Sequence, residues 1–252
     1  MREQTRQLAD DLAGADLTTP APSCPGWNAG QVVRHLGGGL RWAAELISTR
    51  ATEPPADTHF RDLSPYAEED PAVLAPWIAE SGDLLAAALE ESGPDAAVWT
   101  PMPEQTGGRA SFFARRFAHE AVIHRADATL PLGRPLVVEP DLAADGIDEW
   151  MELGSLPFHF EVHPQMRELL GPGRTVHLHA TDTDPELHAE WVLDLTGDAI
   201  TWRRAHEKSA VAVRGPITDL LLMVYRRRAP DRLDVVGDAS LLEFWLERVP
   251  FG

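Results

Sequence analysis

Residues 28–49, NAGQVVRHLGGGLRWAAELIST, decide how the first half of this chain is read. Val32, Val33, Leu36, Leu40, Ala43, Ala44 and Ile47 recur at helical spacing, so one face of a helix would be apolar. Asn28 suits the N-cap, because its side-chain oxygen can accept a hydrogen bond from an orphan backbone N–H. The three glycines Gly37–Gly39 work against a helix, each costing about 1 kcal/mol relative to alanine. A helix here therefore needs compensation. Close approach of another helix or of a ligand, where no Cβ stands in the way, would supply it.

Three further helical segments flank this one. Residues 2–13 form a short amphipathic pattern. The spacing of Leu74, Trp77, Ile78, Leu84, Leu85 and Leu89 predicts a helix over 70–92, with Asp70 as cap, Pro71 at its first position and Gly93-Pro94 as its end. Phe112, Phe113, Phe117, Ala121, Val122 and Ala128 predict another over 109–129. Proline-rich loops separate the four, which points to a four-helix bundle. Pro131 and Gly133-Arg134-Pro135 mark its end, giving a first domain over 1–135.

Residues 136–252 have a different pattern. Helices are predicted over 141–154 and 163–170. Alternating runs then predict strands over 176–180, 189–195, 199–204, 210–213 and 233–237. An apolar-faced helix over 216–228, ending in Arg226-Arg227-Arg228, and a last helix over 239–248 complete a small α+β domain. The fold class is α+β overall.

The 252 residues carry 40 acidic and 22 basic side chains, a net charge of −18. Wholesale binding to nucleic acid or an anionic membrane is excluded, because the basic surface that neutralises phosphates is missing. No uninterrupted apolar run approaches the roughly 20 residues of a bilayer span. Residues 1–14 lack the apolar core of a signal peptide, so the expected location is cytoplasmic. Cys24 is the only cysteine, which rules out an internal disulfide and a multi-cysteine zinc site. Any transition-metal site must use the ten histidines and the carboxylates.

Glu120 and His124 stand four residues apart on the fourth predicted helix, on one face and within reach of one ion. His35 lies on the core-facing stripe of the second. Imidazole and carboxylate suit a divalent metal such as zinc, and three protein ligands leave one position open. Taken alone, the pair reads better as a helix-stabilising carboxylate–imidazole contact. His119 points about 100° away from Glu120 and would not share its ion. His159 and His163 read better as two surface histidines. His177 and His179 share a strand face, but nothing nearby in sequence supplies a third ligand, and a polar sheet face explains them. Cys24, in a proline-glycine loop before a helix, reads as a small buried side chain that fixes the loop.

Three segments carry a family resemblance. APSCPGWNAGQVVRHLGGG (21–39) resembles the N-terminal signature of the mycothiol-dependent maleylpyruvate isomerase family, where a Cys-Pro-Gly-Trp loop opens a helix bearing a metal-binding histidine. HEAVIHRADA (119–128) resembles its second signature, with Glu and His ligands followed by Arg and Asp. Residues 213–246 resemble its small C-terminal domain, which is similar to sterol-carrier proteins. The resemblance implies a DinB-like bundle followed by an α+β domain. It implies the metal-ligand role for His35, Glu120 and His124, and mycothiol or a related small thiol as cosubstrate.

It also implies an assisting arginine. The family's usual Trp-Gly-Arg reads Tyr225-Arg226-Arg227 here, which makes Arg227 the aligned residue. Arg125 and Asp127 are expected to support the site or close the helix as a salt bridge, and Trp27 to pack the loop. The implied function is isomerisation or S-conjugation of a small, anionic electrophile, in a protein expected to be monomeric. Two alternatives stand beside it. One is a thiol S-transferase of detoxification or secondary metabolism. The other is a non-catalytic, metal-containing protein that binds or senses a small ligand.

Overall fold

The computed structural model describes residues 1–249, apart from the side chains of residues 58 and 59. The chain divides into two compact units, Met1–Leu136 and Val137–Gly252.

The first unit is built on four long helices: α1 (Arg2–Asp11), α2 (Ala29–Ser48), α4 (Pro71–Ser92) and α6 (Ala110–Thr129). Two single-turn helices, α3 (Thr58–Arg61) and α5 (Pro103–Thr106), sit in the connections. α2 is central and packs against both α4 and α6, while α1 packs against the same two. Its start is locked by a reciprocal cap. Gln31 N–H donates to the Asn28 side chain at 2.9 Å, and Asn28 N–H donates to the Gln31 side chain at 3.0 Å. Asp70 caps α4 through Ala72 N–H. Leu36, Leu40, Leu46, Ile47, Leu74, Ile78 and Leu85 are buried in one core.

The glycines are compensated by close packing, as their cost required. A Cβ on Gly37 would stand 2.1 Å from the Trp77 ring, and one on Gly38 would stand 2.4 Å from the Phe60 Cβ. On Gly39 it would meet Phe117 at 3.2 Å. Each glycine thus admits an aromatic side chain against the α2 backbone. By length and hydropathy α4 could cross a bilayer. Leu74, Ile78 and Leu85 instead fill the bundle core, and Glu80 and Asp83 interrupt the run.

The second unit holds α7 (Pro140–Gly154), the short α8 (His159–Val162), α9 (Ile217–Val224), α10 (Ala239–Arg248) and a five-stranded sheet. The strands are β1 (Thr175–Ala180), β2 (Glu190–Asp194), β3 (Thr201–Arg204), β4 (Val211–Gly215) and β5 (Asp234–Gly237), in the order β3-β2-β1-β4-β5. Only the β1–β4 pair is parallel. Val176, Leu178, Trp191, Leu193, Val211 and Val213 alternate into the core, and α9 packs against β1 and β4. Trp191 donates to Asp148 of α7 at 2.8 Å, which sets this face of the sheet toward the helices.

Two expectations are corrected. The predicted helix over 163–170 is a 3-10 segment, Pro164–Leu169, preceded by α8, because Pro157 and Pro164 interrupt the backbone hydrogen bonds a longer helix needs. The helix predicted over 216–228 stops at Val224. Arg226 takes φ +60°, a left-handed conformation that ends it. The arginine run therefore follows the helix and is not its last turn.

Candidate metal centre

The site is built where α2 and α6 face each other in the first unit. His35 projects from the glycine-bearing part of α2, and Glu120 and His124 lie one turn apart on α6. The His35 and His124 rings meet edge to face with centroids 5.0 Å apart. His124 Nε2 lies 3.0 Å from Glu120 Oε2. His35 and Glu120 thus each meet His124, and all three line one cavity.

Both imidazoles are held through the same ring atom. His35 Nδ1 lies 2.7 Å from the Phe60 carbonyl, which can only accept, so Nδ1 carries a proton. His124 Nδ1 lies 2.9 Å from Asp127 Oδ2. In each ring this leaves Nε2 to supply a lone pair. Ligand histidines are usually oriented in this way, by an oxygen acceptor on the second nitrogen. Asp127 is itself fixed, since Ser23 Oγ donates to its other oxygen at 2.6 Å. Glu120 Oε1 accepts from Arg116 at 2.6 and 2.9 Å, which leaves Oε2 for His124 or an ion. Two imidazole nitrogens and a carboxylate oxygen fit a divalent ion such as zinc.

The electrostatics follow from this arrangement. Burial lowers the His35 pKa, and charge on His124 adds to the effect, so its ring is neutral and able to ligate. Burial would lower His124 as well. Hydrogen bonds to Asp127, Cys24 and Glu120 outweigh it and hold His124 well above the ordinary imidazole range. Burial would raise Glu120, but Arg116 and His124 hold it well below the usual carboxylate range. Both shifts favour a half-buried carboxylate–imidazolium pair in the metal-free site.

A cavity of about 550 Å³ opens on these ligands. Trp42, Phe112, Phe113 and Phe117 form its apolar wall. Arg61, Arg116, Asp57 and Glu120 supply its charged groups, and Arg61 pairs with Asp57 at 2.8 Å.

The remaining predicted residues fall as follows. Trp27 packs on His35 with ring centroids 5.0 Å apart, so the loop tryptophan buttresses a predicted ligand. His119 is buried and does not line the cavity. Arg125 does not bridge to Asp127. It is buried toward α1, where it pairs with Asp11 at 3.2 Å and with Gln4 and Gln7. His159 and His163 stack with centroids 6.1 Å apart, and no third metal-type donor joins them among the described residues. Arg227, in the second unit, donates to the Tyr225 carbonyl at 2.7 Å.

Two roles were missed in the sequence. The Cys24 loop does close a turn, with Trp27 N–H donating to the Cys24 carbonyl at 3.0 Å. Its thiol also touches His124, and sulfur, imidazole nitrogen and Asp127 oxygen lie within 4.8 Å of one another. Arg116 as the holder of Glu120 was legible as an i,i+4 pair but was not read.

Residues 1–129 match the family model described as the mycothiol maleylpyruvate isomerase N-terminal domain. Residues 141–244 match the model of its C-terminal domain. The chain belongs to the mycothiol maleylpyruvate isomerase family. Among solved structures, the fold resembles the crystal structure of the mycothiol-dependent maleylpyruvate isomerase, with a TM-score of 0.59 and 16% identity over 93% of this chain and 89% of that one. A histidine-to-alanine mutant of that enzyme gives 0.55 and 17% over the same shares. No curated protein matches the sequence. At this identity the two structures establish a shared fold, and the family membership rests on the two domain models.

Proposed function

We propose that this protein is a metal-dependent enzyme that uses a low-molecular-weight thiol, mycothiol or a relative, to isomerise a small anionic electrophile of the maleylpyruvate type. The observation that carries it is the paired anchoring of His35 and His124 through Nδ1, with Glu120 beside His124, in the lining of an aromatic cavity. A three-residue donor set leaves a coordination position open, whereas a structural site would be closed by a fourth protein ligand.

His35, Glu120 and His124 would hold the ion. When bound, a divalent metal lowers the pKa of a thiol ligand and so provides a thiolate near neutral pH. Asp127 and the Phe60 carbonyl keep the two ligand rings in one tautomer and one orientation. Arg116 holds the free oxygen of Glu120 and keeps the carboxylate ionised. The aromatic wall excludes water from an electrophilic substrate and strengthens every charge interaction inside. Arg227 would neutralise the substrate carboxylate or a developing enolate, for which its planar fork is suited. Location in the cytoplasm and a monomeric state are part of the same reading.

The test is direct. Purified protein incubated with mycothiol and maleylpyruvate should yield the isomerised product, and stripping the metal should abolish it. Accumulation of a stable thiol adduct would instead favour an S-transferase. Absence of both, with metal retained, would favour a protein that binds a ligand without turnover.

A further inference from the structure

The second unit contains another convergence of metal-type donors. His177 and His179 stand two residues apart on β1 and so share a face, opposite the one packed on the helices. The β1–β2 register places Glu190 directly across from His179. Ala205 N–H donates to the Glu190 carbonyl at 3.2 Å, which carries the chain past β3 and brings His206 to the same point.

Three imidazoles thus surround one carboxylate oxygen. Glu190 Oε2 lies 2.9 Å from His177 Nε2, 3.2 Å from His179 Nδ1 and 2.6 Å from His206 Nδ1. The ring centroids form a nearly equilateral triangle, with sides of 5.9, 5.6 and 5.8 Å. All four donor atoms lie within 4.8 Å of one another. They come from β1, β2 and the segment after β3, so sequence spacing alone did not reveal them.

We propose that His177, His179, His206 and Glu190 form a second metal site, which takes a divalent transition ion such as zinc. Three nitrogens and one oxygen from the protein make a closed, four-ligand set, with the coordination number of a structural site and donors that suit zinc. Each ring ligates through the nitrogen now facing Glu190. A proton on that nitrogen moves to the other ring nitrogen, or leaves if the ring is charged. The ion would tie two adjacent strands to the segment between β3 and β4. By mass action it would stabilise the second unit.

The test uses the full chain, stripped of metal and titrated with Zn²⁺ by calorimetry. The wild type should take up a second equivalent beyond that of the bundle centre. His206 is the most exposed of the four, with a side chain 76% accessible, so H206A should fold. Changes beyond the ligands already cost about 10–100-fold in metal affinity, and loss of a ligand should weaken the second equivalent by more than about 100-fold. H179A should do the same. H124A, which removes a bundle ligand, should keep the second equivalent, so failure of the bundle reading and failure of this one are distinguishable. Unchanged stoichiometry and affinity in both H206A and H179A would overturn the proposal. So would a wild type with only one equivalent that H124A abolishes.

Discussion

At the scale of single residues, the bundle centre is defined by what lies behind its ligands. Asp127 accepts from His124 Nδ1 and from Ser23, and it lies outside the cavity lining. Replacing it with alanine should leave the ligand set intact and loosen it. Metal affinity should fall about 10–100-fold, as for other carboxylates behind histidine ligands. Calorimetric titration of D127A checks this, and an affinity equal to wild type would remove Asp127 from the site. The pH dependence follows from the same contacts. His124 is raised when folded, so in metal-free protein its contribution to stability is present below the ordinary imidazole range and is lost as pH rises through its folded pKa. Glu120 is depressed, and its contribution is lost as pH falls through its folded pKa. Metal must displace the proton on His124 Nε2. Metal-free protein should therefore lose thermal stability with rising pH just where metal affinity increases. Melting curves with and without Zn²⁺ across that range check the opposed slopes.

At the scale of elements, α2 shows what a sequence can and cannot disclose. The apolar stripe and Asn28 identify the helix and its start, and the glycine cost announces that something packs closely there. The sequence does not say that the partners are Trp77, Phe60 and Phe117, because those contacts join α2 to residues up to 78 positions away in the chain. The pairing of Glu120 with His124 on α6 was legible because their spacing is local. The His177–His206 cluster was not, because register and a loop assemble it. The helix limit at Val224 was missed for a related reason, since a left-handed arginine carries no composition signal. Gly38 joins these points. A methyl group there would press on Phe60, whose carbonyl anchors His35. G38A should destabilise the protein by about 1–3 kcal/mol, the usual cost of overpacking, and should weaken metal binding as well. G39A, with a gap of 3.2 Å to the tip of the Phe117 ring, should be milder. Denaturant titration of both variants checks the order, and equal losses would remove Phe60 from the explanation.

At the scale of the whole molecule, the proposed metal ligands lie in one unit and the arginine aligned with the family's assisting residue lies in the other. Arg226 occupies the glycine position of the family's usual Trp-Gly-Arg, and its φ of +60° is the conformation a glycine adopts without strain. The turn that carries Arg227 is therefore one that a glycine at position 226 would adopt without strain. The strain is about 1 kcal/mol, partly offset because a glycine loses more entropy on folding. R226G should then leave stability within about 1 kcal/mol of wild type. If Arg227 serves the reaction, R227A should keep its metal and its fold, yet lose about 100-fold or more in kcat/KM toward maleylpyruvate, the scale of a lost charge-stabilising donor. R227K should recover part of this, since it restores charge without the planar fork. A loss confined to KM would mean that Arg227 only binds the substrate carboxylate, and a loss in kcat would mean that it acts on charge developing in the reaction. Unchanged kinetics in R227A would confine the chemistry to the bundle unit.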